Sequence, residues 1–317
     1  MLNSASRVRN SIAHRFKKPG VPTGFSLSDR TLAFLMIAPS AVLIFVFALL
    51  PMAQAILASF FHIESATLEM QFNGIDNYRW LVGQEVFWGS LVRSLIWVAS
   101  TTVAQMVLGV GIALLVHQEL RGRNMARGLV LFPYLIPAVV LALTWRFMLD
   151  PTLGVINRAL MDFGLIERPI AFLADQQTAL LFVIIAGVWK YTPFVVIMVL
   201  ARLQVIPLEL EDAAKIDGAG SWQLFRYITF PWLAPVLVIT ALLRTIWSFR
   251  QFDIVYLFAF GGPLFGTTTL PVLVRHLAFD AQRIGAAAAT AVIMLLLLVL
   301  MSRGYFALYA RAEGQLD

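Results

Sequence analysis

The chain has 317 residues, of which 60% are hydrophobic and only 13% are charged, and its mean hydropathy is +0.80. Soluble globular proteins have about 45–50% apolar residues, so this composition excludes an ordinary soluble domain and predicts a polytopic membrane protein. Cysteine is absent, which excludes disulfides, thiolate metal sites and thiol catalysis. The net charge of +6 is explained by basic residues that collect in cytoplasmic loops. The sequence contains no basic run with interleaved aromatic residues, so a nucleic-acid partner is not indicated.

The first 30 residues are polar and basic and lack the compact apolar segment of a cleavable signal peptide. We expect a cytoplasmic tail at 1–30, a transmembrane domain at 31–310 and a short cytoplasmic tail at 311–317. Six apolar runs in the chain are each long enough to cross a hydrocarbon core of about 30 Å as a helix. The fold class predicted is therefore all-α, with six transmembrane helices. The predicted spans are 31–61, 87–116, 128–148, 178–201, 234–260 and 284–309.

The basic residues predict how these spans are oriented. An even number of spans places both termini on one side of the membrane, and that side carries fourteen Lys and Arg residues in its tails and loops. The opposite side carries five. Because basic residues are retained in the cytoplasm, the N-terminus, the C-terminus and the loop after the fourth span are predicted to be cytoplasmic. The five basic residues on the outer side are Arg79, Arg158, Arg168, Arg275 and Arg283.

The loop after the fourth span, at 204–232, contains the dense mixed-charge stretch "LELEDAAKIDGAG". Pro207 favours a helix start, and Gly218 favours a helix end in the left-handed conformation. Ser221 is suited to capping a second short helix that ends before Pro231. The segment is therefore predicted to form a helix, a turn and a second helix at the membrane surface.

The residues of this loop are compatible with two roles. A solvated amphipathic helix would use its charges only to stay out of the lipid. A docking helix would instead use the small side chains of Ala213 and Ala214 for close approach, with nearby carboxylates facing a partner.

Ionisable residues within predicted spans are costly and indicate either pairing or a solute pathway. In the fifth span Arg250 and Asp253 are three positions apart, so they are predicted to pair along the helix. A polar stripe on the same span suits a water-filled, sugar-contacting cavity, and it suits contact with a second membrane subunit equally well. The stripe comprises Arg244, Trp247, Ser248 and Gln251.

Two further bases inside spans are candidate functional residues. Lys190 is interpreted as structural or gating, and Arg93, in the outer third of the second span, is a candidate for the solute pathway. Five membrane-embedded bases face a single acid, Asp253, which makes an anionic solute an alternative, although a partner subunit could supply carboxylates. No metal site is predicted, because the four histidines form no ligand cluster. The five bases are Arg93, Arg146, Lys190, Arg244 and Arg250.

Three segments resemble the permease subunits of bacterial ABC importers. The cytoplasmic loop of those subunits reads E-A-A, three residues, G, nine residues, I-x-L-P. The segments "WKYTPF" (189–194) and "FRQFDIVYLFAFGGP" (249–263) are similar to the carbohydrate branch of the family, in its maltose and glycerol-phosphate types. The chain departs from the loop pattern at Asp212, where the family usually has Glu, and at Phe230, where it has Leu. The matching loop positions are Asp212, Ala213, Ala214, Gly218, Ile228, Phe230 and Pro231.

The resemblance implies a type I ABC importer permease fold, a non-catalytic role in translocation and a location in the bacterial inner membrane. Loop 204–232 would then contain a coupling helix that docks on a cytoplasmic ATPase. The chain has no G-x-x-x-x-G-K-[ST] motif, so ATP and Mg²⁺ are expected on the ATPase, and no cofactor is expected here. The expected coupling residues are Glu209, Asp212, Ala213, Ala214 and Gly218.

The implied partners are a second related permease in a heterodimer, two copies of an ABC ATPase, an extracytoplasmic solute-binding protein and the lipid bilayer. The implied solute is a sugar or sugar derivative, with a sulfo-sugar, a phospho-sugar or glycerol phosphate as the anionic alternative. An ion-coupled secondary transporter is the alternative from another class. It would be expected to show an inverted repeat and paired broken helices, and the sequence shows no obvious repeat.

Overall fold

The computed structural model describes residues 28–64, 67, 69–118 and 121–313. The tail predicted at 1–30 lies outside the described residues except for its last three positions, and the tail at 311–317 except for its first three.

The described chain is built from helices, three π-helical turns and one small hairpin, in which β1 and β2 are antiparallel and Phe61 lies opposite Phe72. The strands are β1 (Phe61–Ile63) and β2 (Met70–Phe72), and the π-helical turns are Phe45–Leu49, Phe225–Thr229 and His276–Asp280. The helices are α1 (Asp29–Ile44), α2 (Leu50–Ala58), α3 (Asp76–Val82), α4 (Glu85–His117), α5 (Arg123–Leu135), α6 (Ala138–Met148), α7 (Val155–Asp162), α8 (Gln176–Leu203), α9 (Leu208–Ile216), α10 (Ser221–Leu224), α11 (Phe230–Phe249), α12 (Asp253–Ala259), α13 (Leu270–Arg275) and α14 (Ile284–Glu313).

Five helices within the described ranges are long and apolar enough to cross a membrane, and the bent pair α5–α6 is a candidate for a sixth span. The predicted all-α class is therefore confirmed, and the number of spans is five, or six if the bent pair crosses as one span. The orientation of the termini stays a prediction. The five continuous spans are Arg30–Ala58, Glu85–His117, Gln176–Leu203, Ser221–Phe249 and Ile284–Tyr309.

Among the described residues, those from 28 to 53 form one unit, and those from 54 to 313 form a second unit. In the first unit no described side chain is buried, and large apolar side chains such as Phe34 and Met36 are more than 70% exposed. This unit therefore has no core of its own, as expected for a span whose apolar surface faces lipid or a partner.

The core of the second unit depends on close packing between α4 and α8. Gly187 makes this possible, because a Cβ atom at that position would lie 2.5 Å from the Trp97 ring. Trp97 is 2% exposed, and its indole Nε1 donates to the Ser248 carbonyl at 2.9 Å. At its N-terminal end, α8 is capped by Asp175, which accepts from the backbone N–H groups of Gln177 and Thr178. The hydrogen bond from Thr178 is the main cause that lowers the pKa of Asp175.

The third predicted span, 128–148, is not one straight helix. It breaks at Ile136 and Pro137 into α5 and α6, which are bent by 93°. Proline disfavours helical geometry in the residue before it, and Ile136 accordingly has an extended ψ of 128°. The prediction of a continuous span was wrong here.

The fifth predicted span, 234–260, is also corrected. The helix ends at Phe249, and residues 250–252 separate it from α12. The short second helix of the loop was predicted to end before Pro231. Instead, α10, the π-helical turn and α11 form one continuous span from Ser221 to Phe249. In the wider turn Phe230 donates to the Phe225 carbonyl, and Pro231 occupies the first turn of α11, where its missing N–H is least needed.

Candidate functional site

A cavity of about 600 Å³ opens where α5 ends, beside α8 and the turn that follows α11. Its wall combines aromatic rings with two arginines, an amide and one carboxylate. The lining residues are Tyr134, Tyr191, Arg244, Trp247, Arg250, Gln251, Phe252 and Asp253.

Arg244 is the most buried charged residue of this cavity, with 3% of its surface exposed. Its Nε donates to Gln105 Oε1 at 2.7 Å, and its Nη2 donates to Ser248 Oγ at 3.3 Å. Gln105 is itself oriented from α8, since its Nε2 donates to the Gly187 carbonyl at 3.2 Å. Groups from α4, α8 and α11 thus hold one guanidinium, and no described carboxylate lies within ion-pair distance of it.

Aromatic faces take up much of the remaining surroundings of Arg244. The guanidinium carbon lies 4.5 Å from the centre of the Tyr191 ring and 5.9 Å from that of Trp247. Phe194 packs edge-on against Trp247 at 4.9 Å, and Tyr134 stacks on Phe194 at 6.5 Å. Electron-rich ring faces stabilise a cation that has no acidic partner. The cavity therefore offers a fixed positive charge within an aromatic wall.

The structure brings together all four residues of the predicted stripe, although not on one helical face. Trp247 and Ser248 lie on α11 with Arg244, as predicted. Gln251 lies in the turn after the helix, where its Oε1 accepts from the Tyr191 hydroxyl at 3.3 Å. It still lines the cavity.

The predicted pairing of Arg250 with Asp253 is wrong. The helix that was to hold them three positions apart ends at Phe249, and no ion pair joins them within the described chain. Both residues are exposed and line the cavity. They are therefore available to a solute or to a partner.

Arg93 and Lys190 lie outside the cavity lining. Arg93 is half-buried, and its Nε donates to the Thr268 carbonyl at 3.2 Å, so the structure does not bring it together with Arg244. Lys190 is 5% exposed, and its Nζ donates to the Ile136 carbonyl at the break between α5 and α6. Its neighbour Tyr191 forms part of the cavity wall.

The loop at 204–232, predicted to be a coupling loop, forms the predicted first helix, α9, with Pro207 before it and Gly218 after it at φ +82°. The second helix is capped differently from the prediction. Gly220, and not Ser221, occupies the cap position, and its N–H donates to the Gln223 side chain at 2.8 Å. Ser221 is the first residue of α10.

The predicted coupling residues lie on an exposed helix. Glu209, Asp212 and Ala213 are exposed, and Ala214 is half-buried. Ile216, one turn after Ala213, is 86% exposed, so an apolar side chain extends the same surface. Lys215 pairs with Asp212 at 3.3 Å and reaches Glu211 at 4.0 Å.

The loop and the cavity are joined by one helix. The continuous span Ser221–Phe249 has 29 residues, which corresponds to a length of about 43 Å. Its first residues follow the Gly218 turn, and its last turns carry Arg244, Trp247 and Ser248. A displacement of α9 would therefore reach the cavity through a single rigid element.

Sequence reasoning missed several residues of the cavity network. Gln105 gave no signal, because it is one amide in a long apolar run. Tyr191 and Phe194 lie in the quoted "WKYTPF" segment, so the resemblance could have suggested them. Within the described ranges no group of three or more acidic or histidine residues could hold a metal ion. The missed residues are Gln105, Tyr134, Tyr191, Phe194 and Phe252.

Residues 105–314 match the family described as the binding-protein-dependent transport system inner membrane component. This match covers the cavity, the break between α5 and α6 and the loop at 204–232, and the chain belongs to this family. It is therefore a multi-pass inner-membrane permease of an ABC importer, which translocates a solute and leaves ATP hydrolysis to a separate subunit. This class works with a solute-binding protein and an ATPase, and it excludes the ion-coupled alternative.

Relatives and a solved structure agree with this assignment. The chain is 34% identical to the trehalose/maltose transport system permease protein MalF of Thermococcus litoralis, over 81% of this chain and 85% of the relative. It is 32% identical to the trehalose transport system permease protein SugA of Mycobacterium tuberculosis, over 78% and 79% respectively. Its fold matches a chain of a bacterial ABC transporter for the acidic polysaccharide alginate, with a TM-score of 0.76, 20% identity and coverage of 96% and 99%.

Proposed function

We propose that this permease imports a sugar or sugar derivative and that the Arg244 cavity is its solute pathway. The observation that carries the proposal is the aromatic wall around a fixed guanidinium and amide. Sugars offer hydroxyl groups to hydrogen bonds and C–H faces to aromatic rings, and small-molecule sites commonly combine such walls with a few polar groups. The relatives named for trehalose and maltose support the sugar class.

The test is uptake of labelled trehalose and maltose into proteoliposomes that contain the assembled transporter and internal ATP, with the solute-binding protein outside. We expect ATP-dependent uptake of at least one of these sugars. The variant Trp247→Ala should lower the rate by up to about tenfold, because it removes an aromatic face that contributes about 0.5–1.5 kcal/mol.

The matched control is Trp189→Ala. Trp189 also lies on a span and packs against Trp145 at 6.2 Å, but it does not line the cavity. Its loss should change the rate less than twofold. Equal rates for Trp247→Ala and Trp189→Ala would contradict the assignment of the pathway, and failure to take up either sugar would contradict the solute class.

An anionic sugar is the second candidate, and the charges of the cavity favour it. Arg244 and Arg250 both line the cavity, and Asp253 is its single carboxylate. Uptake of a sugar phosphate in preference to its neutral parent sugar, lost in Arg250→Gln, would support this candidate. Native mass spectrometry of the solute-binding protein with its retained ligand tests it independently, and a neutral sugar there would reject it.

We also propose that 204–232 is the cytoplasmic coupling loop, in a transporter with a second related permease and two ATPase copies. Three residues on the exposed face of α9, Glu209, Asp212 and Ala213, would contact the ATPase. Ala214 would pack at the edge of the contact, and Gly218 would hold the turn to the following span. The fold itself supports this role, because the loop continues directly into the span that ends at the cavity.

Ala213→Arg tests the docking surface. A long charged side chain there should prevent close approach, so the ATPase should no longer co-purify with the membrane subunits and uptake should be lost. The control is Ala126→Arg, half-buried on α5 and outside the coupling loop. Unchanged recovery of the ATPase with Ala213→Arg would reject the proposed contact.

A further inference from the structure

The break between α5 and α6 leaves a backbone carbonyl without a helical partner. Ile136 ends α5 in an extended conformation with ψ 128°, so its carbonyl is turned out of the helical direction and accepts no backbone N–H from α6. Inside a membrane, such a freed group must be satisfied by the protein itself. At this position the ammonium group of Lys190 donates to the Ile136 carbonyl.

This contact suits a buried cation for a second reason. The carbonyl end of an α-helix carries a partial negative charge equivalent to about half an elementary charge, and Lys190 meets that end of α5. No described carboxylate pairs with Lys190, and its Nζ lies 5.3 Å from the centre of the Tyr191 ring. The helix end and the ring are thus the groups that stabilise the charge.

Both partners of this contact are close in sequence to residues of the cavity wall. Tyr134 is two residues before Ile136, and Tyr191 directly follows Lys190. The two tyrosine rings pack edge-on with their centres 6.4 Å apart, and both line the cavity.

We infer that Lys190 is a positioning residue: it fixes the bend between α5 and α6 and thereby holds Tyr134 against Tyr191 in the wall of the solute cavity. The inference rests on the proposed function only where it concerns the solute. Pro137 makes the break obligatory, whereas Lys190 sets its angle.

Spin-label distances test the bend directly, and the absence of native cysteine lets a pair of introduced cysteines be labelled specifically. Cysteines are introduced at Met125 on α5 and Phe147 on α6, which are 72% and 59% exposed. Eleven residues separate each label from Ile136, so the observed bend places the labels about 23 Å apart, against about 33 Å for a straight helix. The measurement uses the assembled transporter with cysteine-free partner subunits.

Lys190→Met should broaden this distance distribution towards longer values, and Lys190→Arg, which keeps a donor, should restore it. The matched control is Arg202→Met on the same helix, where Arg202 also donates to a backbone carbonyl, that of Trp232, at 2.9 Å. An unchanged distribution in Lys190→Met would overturn the inference. If Lys190→Met is not recovered from the membrane, Lys190→Leu, which also removes the donor, takes its place.

A double-mutant cycle then tests whether Lys190 acts through Tyr134. We expect Lys190→Met and Tyr134→Ala each to lower sugar uptake about fivefold to tenfold, and the double variant to be no slower than the slower single variant. Multiplied losses in the double variant would overturn the positioning role. Normal uptake in Tyr134→Ala alone would reject the cavity as the solute pathway, while the label distances would still decide the role of Lys190 in the bend.

Discussion

The two ends of the span Ser221–Phe249 hold their charged residues in opposite ways. At the cavity end, Arg244 is 3% exposed and is fixed by groups from three helices. At the loop end, on α9 just before the span, the side chains of Lys215 and Asp212 are 58% and 69% exposed, and Lys215 pairs with Asp212 and Glu211 of the same helix. The buried charge is thus positioned by tertiary contacts, whereas the charges of the loop remain available to a partner.

The largest effect is expected at the junction between the two regions. Gly218→Pro should abolish ATP-driven uptake, because proline requires φ near −65° and Gly218 has φ +82°. The protein should still insert, which the amount in the membrane fraction measures. Gly122→Pro is the control, since Gly122 has φ +83° but lies in a different loop. Loss of uptake in both variants would show that uptake depends on any loop glycine with positive φ, and not on the turn at Gly218 in particular.

The buried end predicts a large but smaller loss. Arg244→Met should lower uptake about 100-fold, because it removes the cation and leaves the Gln105 carbonyl oxygen buried without its donor. Arg244→Lys should recover part of the rate, since a lysine retains the charge but not the planar fork that reaches two acceptors. Arg146→Met is the comparison, because Arg146 also stacks on a ring, that of Phe260, but is exposed. A loss below threefold for Arg244→Met would contradict the central role of this residue.

Packing beneath the cavity predicts a moderate effect on stability. In Gly187→Ala the added methyl group meets the Trp97 ring, so the free energy of unfolding should fall by about 1–3 kcal/mol. A lower thermal transition of the detergent-solubilised transporter measures this. Gly111→Ala provides the matched control on α4, because no atom lies within 4 Å of a Cβ built there. Equal transition temperatures for the two variants would mean that α4 and α8 accommodate the added methyl group without a loss of stability, which would contradict the close packing at Gly187.

The smallest effect is expected at the exposed end. Lys215→Ala removes the ion pairs with Asp212 and Glu211, but exposed pairs of this kind contribute at most about 1 kcal/mol. The thermal transition should therefore shift by less than 2 °C. A larger shift would show that α9 depends on its charges for folding as well as for docking.

Sequence patterns predicted the parts of the molecule that depend on local interactions. The α9 helix, its end at Gly218 and the apolar spans follow from proline and glycine geometry and from the length of the apolar runs. The family resemblance then placed the loop on an importer permease, and the family match confirms this class.

The cavity could be predicted only in part, because its contacts join positions far apart in the chain. Arg244 and Ser248 were recognised as neighbours on one helix, but Gln105 is 139 residues away from Arg244. The bend at Ile136 and the helix end at Phe249 were also missed. In both places the break lies within a long apolar run, and hydropathy indicates which residues favour lipid but not where the helix bends or ends.

The π-helical turn Phe225–Thr229 gives this molecule a particular tolerance to changes in length. Deleting one residue from an α-helix rotates everything beyond it by about 100°, which would turn Arg244 away from Gln105. Within the wider turn, one residue can be removed to leave an ordinary α-helical turn, so that the downstream side chains keep their directions. A one-residue deletion in this turn should therefore preserve the orientation of Arg244 about the helix axis, whereas the same deletion elsewhere in the span would change it.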